Sequence, residues 1–360
     1  MSTAVLEAES KSRTNTATST EAIYTICPVL VASHIAVYKG WLETELKRVG
    51  GSLKYLWSLS HENWLSHFNH TLTNQFRDGG NIPAIHARSE GKRSRLIGLT
   101  FSGDGGQILS RVDSGVNKVA DLRGRRIGLY KREKTDRVDF WRATAERGIL
   151  VALDLAGVRR NEVEIVDLRV DVPDYPSSKP VANPAERFKE VSTGPNSHYG
   201  AEIDALLNGR VDAIYANRGR AQSFQHGGKV KAIEDLAQHP DWTLQVANSP
   251  YTITVSDELA KDHPEIVVAY LRAAIKAGHW IHGNQEEAAD IFGQVISHWA
   301  GKCSLKAEIA KHQFLPNLSP KNLAGIGVEK QFLLEQGYIR KDFDVAEWAD
   351  ASFLEEALKD

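Results

Sequence analysis

Short apolar runs alternate with stretches of helical period along most of this chain, and that alternation restricts it to an α/β architecture. Ala22-Ile23-Tyr24-Thr25-Ile26 predicts a strand, and helical spacing from His34 to Leu46 follows it. Residues 53–59, 94–100, 107–111, 126–129, 162–168, 211–216, 230–236 and 251–256 predict further strands. Helical period fills 138–156 and 199–209, then dominates 257–275, 284–296, 304–314, 321–337 and 345–358. At 360 residues the chain exceeds one comfortable core, so two lobes are expected. The order of elements places one βαβ block inside another. The first lobe would comprise 21–117 and 245–360, the second 118–244, with crossovers near 115–120 and 240–250. A parallel-rich sheet in each lobe, with a cleft between them, follows from that order.

Composition narrows the partners. A formal net charge of -2, with 25% charged residues, supplies no cationic field for nucleic acid or an anionic membrane. Arg123-Gly124-Arg125-Arg126 and Arg159-Arg160 are short and have acids close by, which describes a solvated face. No apolar stretch approaches the roughly 18 residues of a membrane-spanning helix. Residues 1–20 are mostly Ser, Thr, Glu and Ala and predict a frayed leader rather than an export signal. On that reading the protein is cytoplasmic and monomeric, and its two cysteines, Cys27 and Cys303, are free thiols.

Cys27 closes the first apolar run and is followed at once by Pro28. Proline holds its predecessor extended and suits a first helical turn. A strand end in an α/β sheet is where ligands bind, and unpaired amides at a helix start favour a thiolate. A free cysteine is equally at home in a core as a small hydrophobe, so both roles stay open for Cys27 on this ground alone. Cys303, between Lys302 and Ser304, reads as incidental.

His67, with His61 and His70 near it, offers the base of a Cys–His pair. The three histidines with Cys27 would supply metal ligands on paper, but their spacing follows no usual ligand pattern. Scattered surface histidines are the plain alternative. Arg77-Asp78-Gly79-Gly80 would cradle an oxoanion through a planar guanidinium and closely approaching amides, or form a turn with a solvated arginine. Ser102-Gly103-Asp104-Gly105-Gly106 carries the same two readings. Neither is a dinucleotide fingerprint or a phosphate-binding P-loop. Trp57, Trp64 and Phe68 would wall a ring-bearing ligand, or pack the core. Residues 170–198, with Pro173, Pro176, Pro180, Pro184 and Pro195, form a stretch without periodicity whose length suggests a lid.

Three motifs carry a resemblance: Ile26-Cys27-Pro28-Val29, His67-Phe68 and Arg77-Asp78-Gly79-Gly80-Asn81-Ile82-Pro83. They resemble the Asn-Cys-Pro-Val, His-Phe and Arg-Phe-Gly-Gly-Glu-Ile-Pro pattern of the 2'-hydroxybiphenyl-2-sulfinate desulfinases of dibenzothiophene desulfurisation. Ile26, Asp78 and Asn81 depart from that pattern. Asp121–Gly128 and Gly209–Tyr215 are similar to segments of binding proteins for nitrate, taurine and alkylsulfonates.

The resemblance implies an α/β, two-lobed, periplasmic-binding-protein-like (type II) fold with a central cleft. It implies that Cys27 is the essential thiol, His67 its acid/base partner, and Arg77 with the Gly80 amide the holders of a sulfinate. Gly79, Phe68, Trp64 and Gly105 are the remaining expected substrate contacts. The implied reaction is hydrolysis of an aryl sulfinate to sulfite, with no cofactor and no metal. The rival readings are a non-catalytic binding protein for an organosulfur oxoanion and a cofactor-free biosynthetic enzyme on the same fold.

Overall fold

The computed structural model describes residues 19–171, 179–193, 200–296 and 302–359. Its strands in chain order are β1 (Thr20–Ile26), β2 (Gly51–Tyr55), β3 (Gln75–Gly79), β4 (Ser94–Phe101), β5 (Gln107–Arg111) and β6 (Arg126–Arg132). They continue with β7 (Glu164–Val170), β8 (Ala213–Ala216), β9 (Val230–Asp235), β10 (Tyr251–Ser256) and β11 (Gln313–Asn317). One sheet has the order β11-β4-β10-β3-β1-β2, the other β7-β6-β8-β5-β9. Each sheet has its own apolar core, and the chain leaves the first after β4 and returns to it with β10.

The sheets are mixed where the sequence predicts parallel-rich ones. β1 runs parallel to β2 and β3, and β6 parallel to β7 and β8. β10 is antiparallel to β3 and β4, as β5 is to β8 and β9. The reason is topological. A strand that enters a sheet from the other lobe starts at the cleft, and so runs against neighbours that end there. β5 also corrects the expected boundary near residue 117. It lies in the second sheet, so the first crossover is the loop between β4 and β5. Gly103, Gly105 and Gly106 there have φ of 58, 62 and 80°, the left-handed region that glycine reaches without strain.

Other departures are local. The helix expected from His34 to Leu46 is two, Ala32–Tyr38 and Trp41–Arg48, separated at Gly40 with φ 69°. The helix expected over 304–314 ends at Ile309, and β11 takes up the following residues as an edge strand, where Pro316 is tolerated. Part of the expected lid is helical, Pro184–Thr193. The rest of that segment at 172–178 and 194–199, the leader before residue 19 and the Cys303 side chain lie outside what is described. Among the described residues no helix is long and apolar enough to cross a membrane.

β3 is the unusual strand. All five of its residues are buried, as a central strand requires, yet Gln75, Arg77 and Asp78 are polar. Polar groups withdrawn from water need partners, and their partners define the site.

Candidate active site

β1 presents alternate residues to one face, so Thr25 and Cys27 lie on the same side of the sheet. His67, in the short helix Ser66–Asn69, spans the two. Its Nδ1 is 2.7 Å from Thr25 Oγ1 and its Nε2 3.3 Å from Cys27 Sγ. Arg77 sits opposite Thr25 in the β1–β3 register and therefore on that face too. Its Nη2 donates to Cys27 Sγ at 3.3 Å, its Nη1 to the Gly80 carbonyl at 2.8 Å, and its Nε to the His67 carbonyl at 2.9 Å. Thiol, imidazole and guanidinium thus meet at one point, as the motif spacing suggests.

The backbone holds the sulfur in place. Cys27 N–H donates to the Asp78 carbonyl at 2.9 Å, and His34 Nε2 contacts the Cys27 carbonyl at 2.8 Å. The Gly80 amide lies close enough to favour the charged form of the sulfur, while the Gly80 carbonyl accepts from Arg77 Nη1. Gly79 has φ 147°, and a Cβ there would stand 2.4 Å from Cys27 Sγ. Only glycine fits beside the thiol.

Burial dominates the electrostatics. It pushes the Cys27 thiol up; Arg77 and the Gly80 amide oppose this only in part, and Asp78 adds to it. Burial also holds the His67 imidazole well below its ordinary range, and the charges of Arg77, Arg137 and Arg187 push it the same way. A neutral thiol beside a neutral imidazole is therefore the favoured resting state, rather than a thiolate–imidazolium pair.

The pair opens on a cavity of about 270 Å³ lined from both sheets. Trp57, Phe68, Phe140, Trp141 and Phe188 provide aromatic wall. Phe68 and Phe140 stack across the cleft with centroids 6.1 Å apart and planes 17° from parallel. Arg137 lies 4.3 Å over the Phe68 ring, and Arg187 lies 4.4 Å over Trp57.

Of the residues expected from sequence, Cys27, His67, Arg77, Gly80 and Phe68 line this cavity. Gly79 lies behind Cys27. Trp64 and Gly105 are corrections. Trp64 is buried behind Trp57, its indole N–H donating to the Leu59 carbonyl at 3.0 Å, because the apolar interior lies on that side. Gly105 belongs to the crossover, donating to the Gln245 carbonyl and accepting from the Tyr215 hydroxyl. Thr25 escaped the sequence reading, although its position two residues before Cys27 on a strand is a usable signal. Arg137, Arg187 and Phe140 escaped it as well, since they reach the cavity only through the tertiary fold.

No family model matches the chain. The 2'-hydroxybiphenyl-2-sulfinate desulfinase of Rhodococcus erythropolis is 26% identical over 363 residues, 93% of each chain. Among solved structures, the desulfurization enzyme DSZB superposes with a TM-score of 0.73 at 23% identity, over 94% of this chain and 99% of that one. The periplasmic aliphatic sulphonate binding protein SsuA from Escherichia coli gives 0.63 at 14% identity, over 92% of each chain. The chain is thus related along nearly its whole length to the 2'-hydroxybiphenyl-2-sulfinate desulfinases and has the two-lobed periplasmic-binding-protein-like fold. These matches overturn the expected cytoplasmic location. Proteins sharing the fold include a periplasmic aliphatic sulphonate binding protein, so the fold gives no ground for a cytoplasmic location.

Proposed function

From that kinship as premise, we propose that the protein is a desulfinase that hydrolyses an aromatic sulfinate, 2'-hydroxybiphenyl-2-sulfinate or a close analogue. The observation that carries the reading is the single sulfur with His67 Nε2 and Arg77 Nη2 each 3.3 Å away, at the wall of an aromatic cavity. A binding protein has no use for a thiol held against an imidazole at a cavity wall; bond cleavage does.

The electrostatics favour proton donation by the Cys27 thiol over attack of its thiolate on the sulfur of the sulfinate. A thiol held neutral is a poor nucleophile and a competent acid. Cys27 would transfer its proton to the ring carbon that bears sulfur, breaking the carbon–sulfur bond and releasing the arene and sulfur dioxide. Water adds to the sulfur dioxide to give hydrogen sulfite and one proton, which returns through His67 to the Cys27 thiolate. The sum is aryl sulfinate plus water giving arene plus hydrogen sulfite, with no external electron carrier. Arg77 would stabilise the sulfinate oxygens and the transient thiolate. Thr25 would hold the His67 ring so that Nε2 faces the sulfur. The segment 179–193, which brings Arg187 and Phe188 to the cavity, would close over bound substrate and exclude water. The reading takes the protein as a monomer acting on a small organosulfur oxoanion.

The test is incubation with 2'-hydroxybiphenyl-2-sulfinate, following sulfite and 2-hydroxybiphenyl. The two products are expected in equal amounts, and Cys27→Ser is expected to bind the sulfinate without releasing either. Binding without turnover by the unaltered protein, or full activity in Cys27→Ser, refutes the reading.

A further inference from the structure

Asp78 is a buried carboxyl that the chemistry above leaves without a role. It follows Arg77 on β3, and the strand alternation sends its side chain to the opposite face of the sheet. Ser33 Oγ donates to Asp78 Oδ2 at 2.5 Å, and the Tyr270 hydroxyl donates to Ser33 at 3.2 Å. Asp78 Oδ1 has no hydrogen-bond partner, although the residue is only 2% exposed. The Asp78 main chain meanwhile holds the Cys27 amide. Ser33 belongs to helix Ala32–Tyr38, which begins directly after the Cys27 loop, and His34 of that helix contacts the Cys27 carbonyl. Asp78 therefore touches the cysteine segment from two directions without reaching the cavity.

We propose that Asp78 is a positioning residue whose proton sets the acidity of the Cys27 thiol from beneath the sheet. It rests on the role assigned to Cys27 above. The groups around the carboxyl are few. Ser33 and Tyr270 face it from two helices, Arg77 flanks it on its own strand, Cys27 follows the end of β1 beside it, and Tyr24 of β1 stands near Tyr270. β10 offers the apolar Ile253 opposite it. Burial lifts the carboxyl to about 7, against the smaller opposing pulls of Ser33 and Arg77.

The direction follows. Below that pH the carboxyl is neutral and does not act on the sulfur; above it, the new negative charge pushes the thiol further up. Ionised Asp78 thus adds to burial in holding Cys27 protonated, the form a proton donor needs. The device couples a group on one face of the sheet to a reaction on the other.

Thiol alkylation by iodoacetamide, read at the Cys27 peptide by mass spectrometry so that Cys303 is followed separately, tests this without any sulfinate. The logarithm of the rate in the unaltered protein is expected to rise with pH through two inflections, the first a flattening near 7 where ionising Asp78 opposes thiolate formation, the second at the titration of the thiol itself. Asp78→Asn is expected to show a single inflection with its midpoint about one pH unit lower. Ser33→Ala removes a hydrogen bond that favours the charged carboxyl, and is expected to move the first inflection upward. Coincident profiles for Asp78→Asn and the unaltered protein overturn the proposal. If Asp78→Asn does not fold, an unmoved first inflection in Ser33→Ala overturns it. Because no substrate is present, failure here leaves the desulfinase reading standing, and failure of turnover leaves this coupling standing.

Discussion

Gly79 shows how closely the site is packed at the scale of single residues. A methyl group there would meet both Cβ and Sγ of Cys27 at 2.4 Å, and its φ of 147° is one that side-chain-bearing residues rarely adopt. Gly79→Ala is expected to displace the thiol, lowering kcat at least about 100-fold while costing about 1–3 kcal/mol of stability. Steady-state kinetics beside a thermal melt checks both; an active, equally stable variant would show that the thiol position is not critical. Cys27, His67 and Arg77 were legible because the motifs that hold them resemble those of the 2'-hydroxybiphenyl-2-sulfinate desulfinases. Thr25 and Asp78 were not, because a hydroxyl and a carboxyl in a strand carry no mark of which neighbours they meet. Trp64 was misplaced for a related reason: an indole suits a ligand wall and a core equally well, and only the tertiary packing, which sets Trp57 against the cavity and Trp64 behind it, separates the two.

Among the elements, the helix Pro184–Thr193 is the instructive case. Prolines made 170–198 read as irregular, yet a start signal was present in Asn183-Pro184-Ala185-Glu186. Asn183 Oδ1 accepts from Glu186 N–H at 3.0 Å, and Glu186 reaches back to Ala182 N–H at 2.9 Å, a reciprocal cap with proline at the first helical position. This helix places Arg187 over Trp57. Arg187→Ala removes that contact and uncovers the cavity. A cation on an aromatic face is worth about 0.5–2 kcal/mol, so KM is expected to rise roughly 3- to 30-fold, with a smaller change in kcat. Titration of KM against the biphenyl sulfinate decides it, and an unchanged KM would detach this helix from substrate capture. β11 was missed for the opposite reason. Its neighbours are helical in pattern, and a proline-bearing edge strand has little alternation to detect.

For the whole molecule, the two crossings between sheets are pinned by hydrogen bonds to groups of the second lobe. The Tyr215 hydroxyl donates to the Gly105 carbonyl at 3.0 Å, and the Asp104 carboxylate accepts from Arg218 N–H at 3.1 Å. Arg147 donates to the Thr243 carbonyl at 2.9 Å and also to the Val246 carbonyl. These contacts hold the loops that set one sheet against the other. Tyr215→Phe leaves the ring packing and removes one brace, so a loss of about 0.5–1.5 kcal/mol is expected. Chemical denaturation would measure it, and a variant of full stability would mean that the hydroxyl does not hold the crossover.

The order of elements and the two-lobed plan were written in local patterns, which any stretch of chain carries within itself, and the Cys–His–Arg site was legible through its likeness to the desulfinase motifs. The membership of β5, the companions of the aromatic wall and the protonation of the thiol came from elsewhere. They depend on which distant atoms exclude water from a group, and desolvation is a property of the packed interior that no short segment encodes.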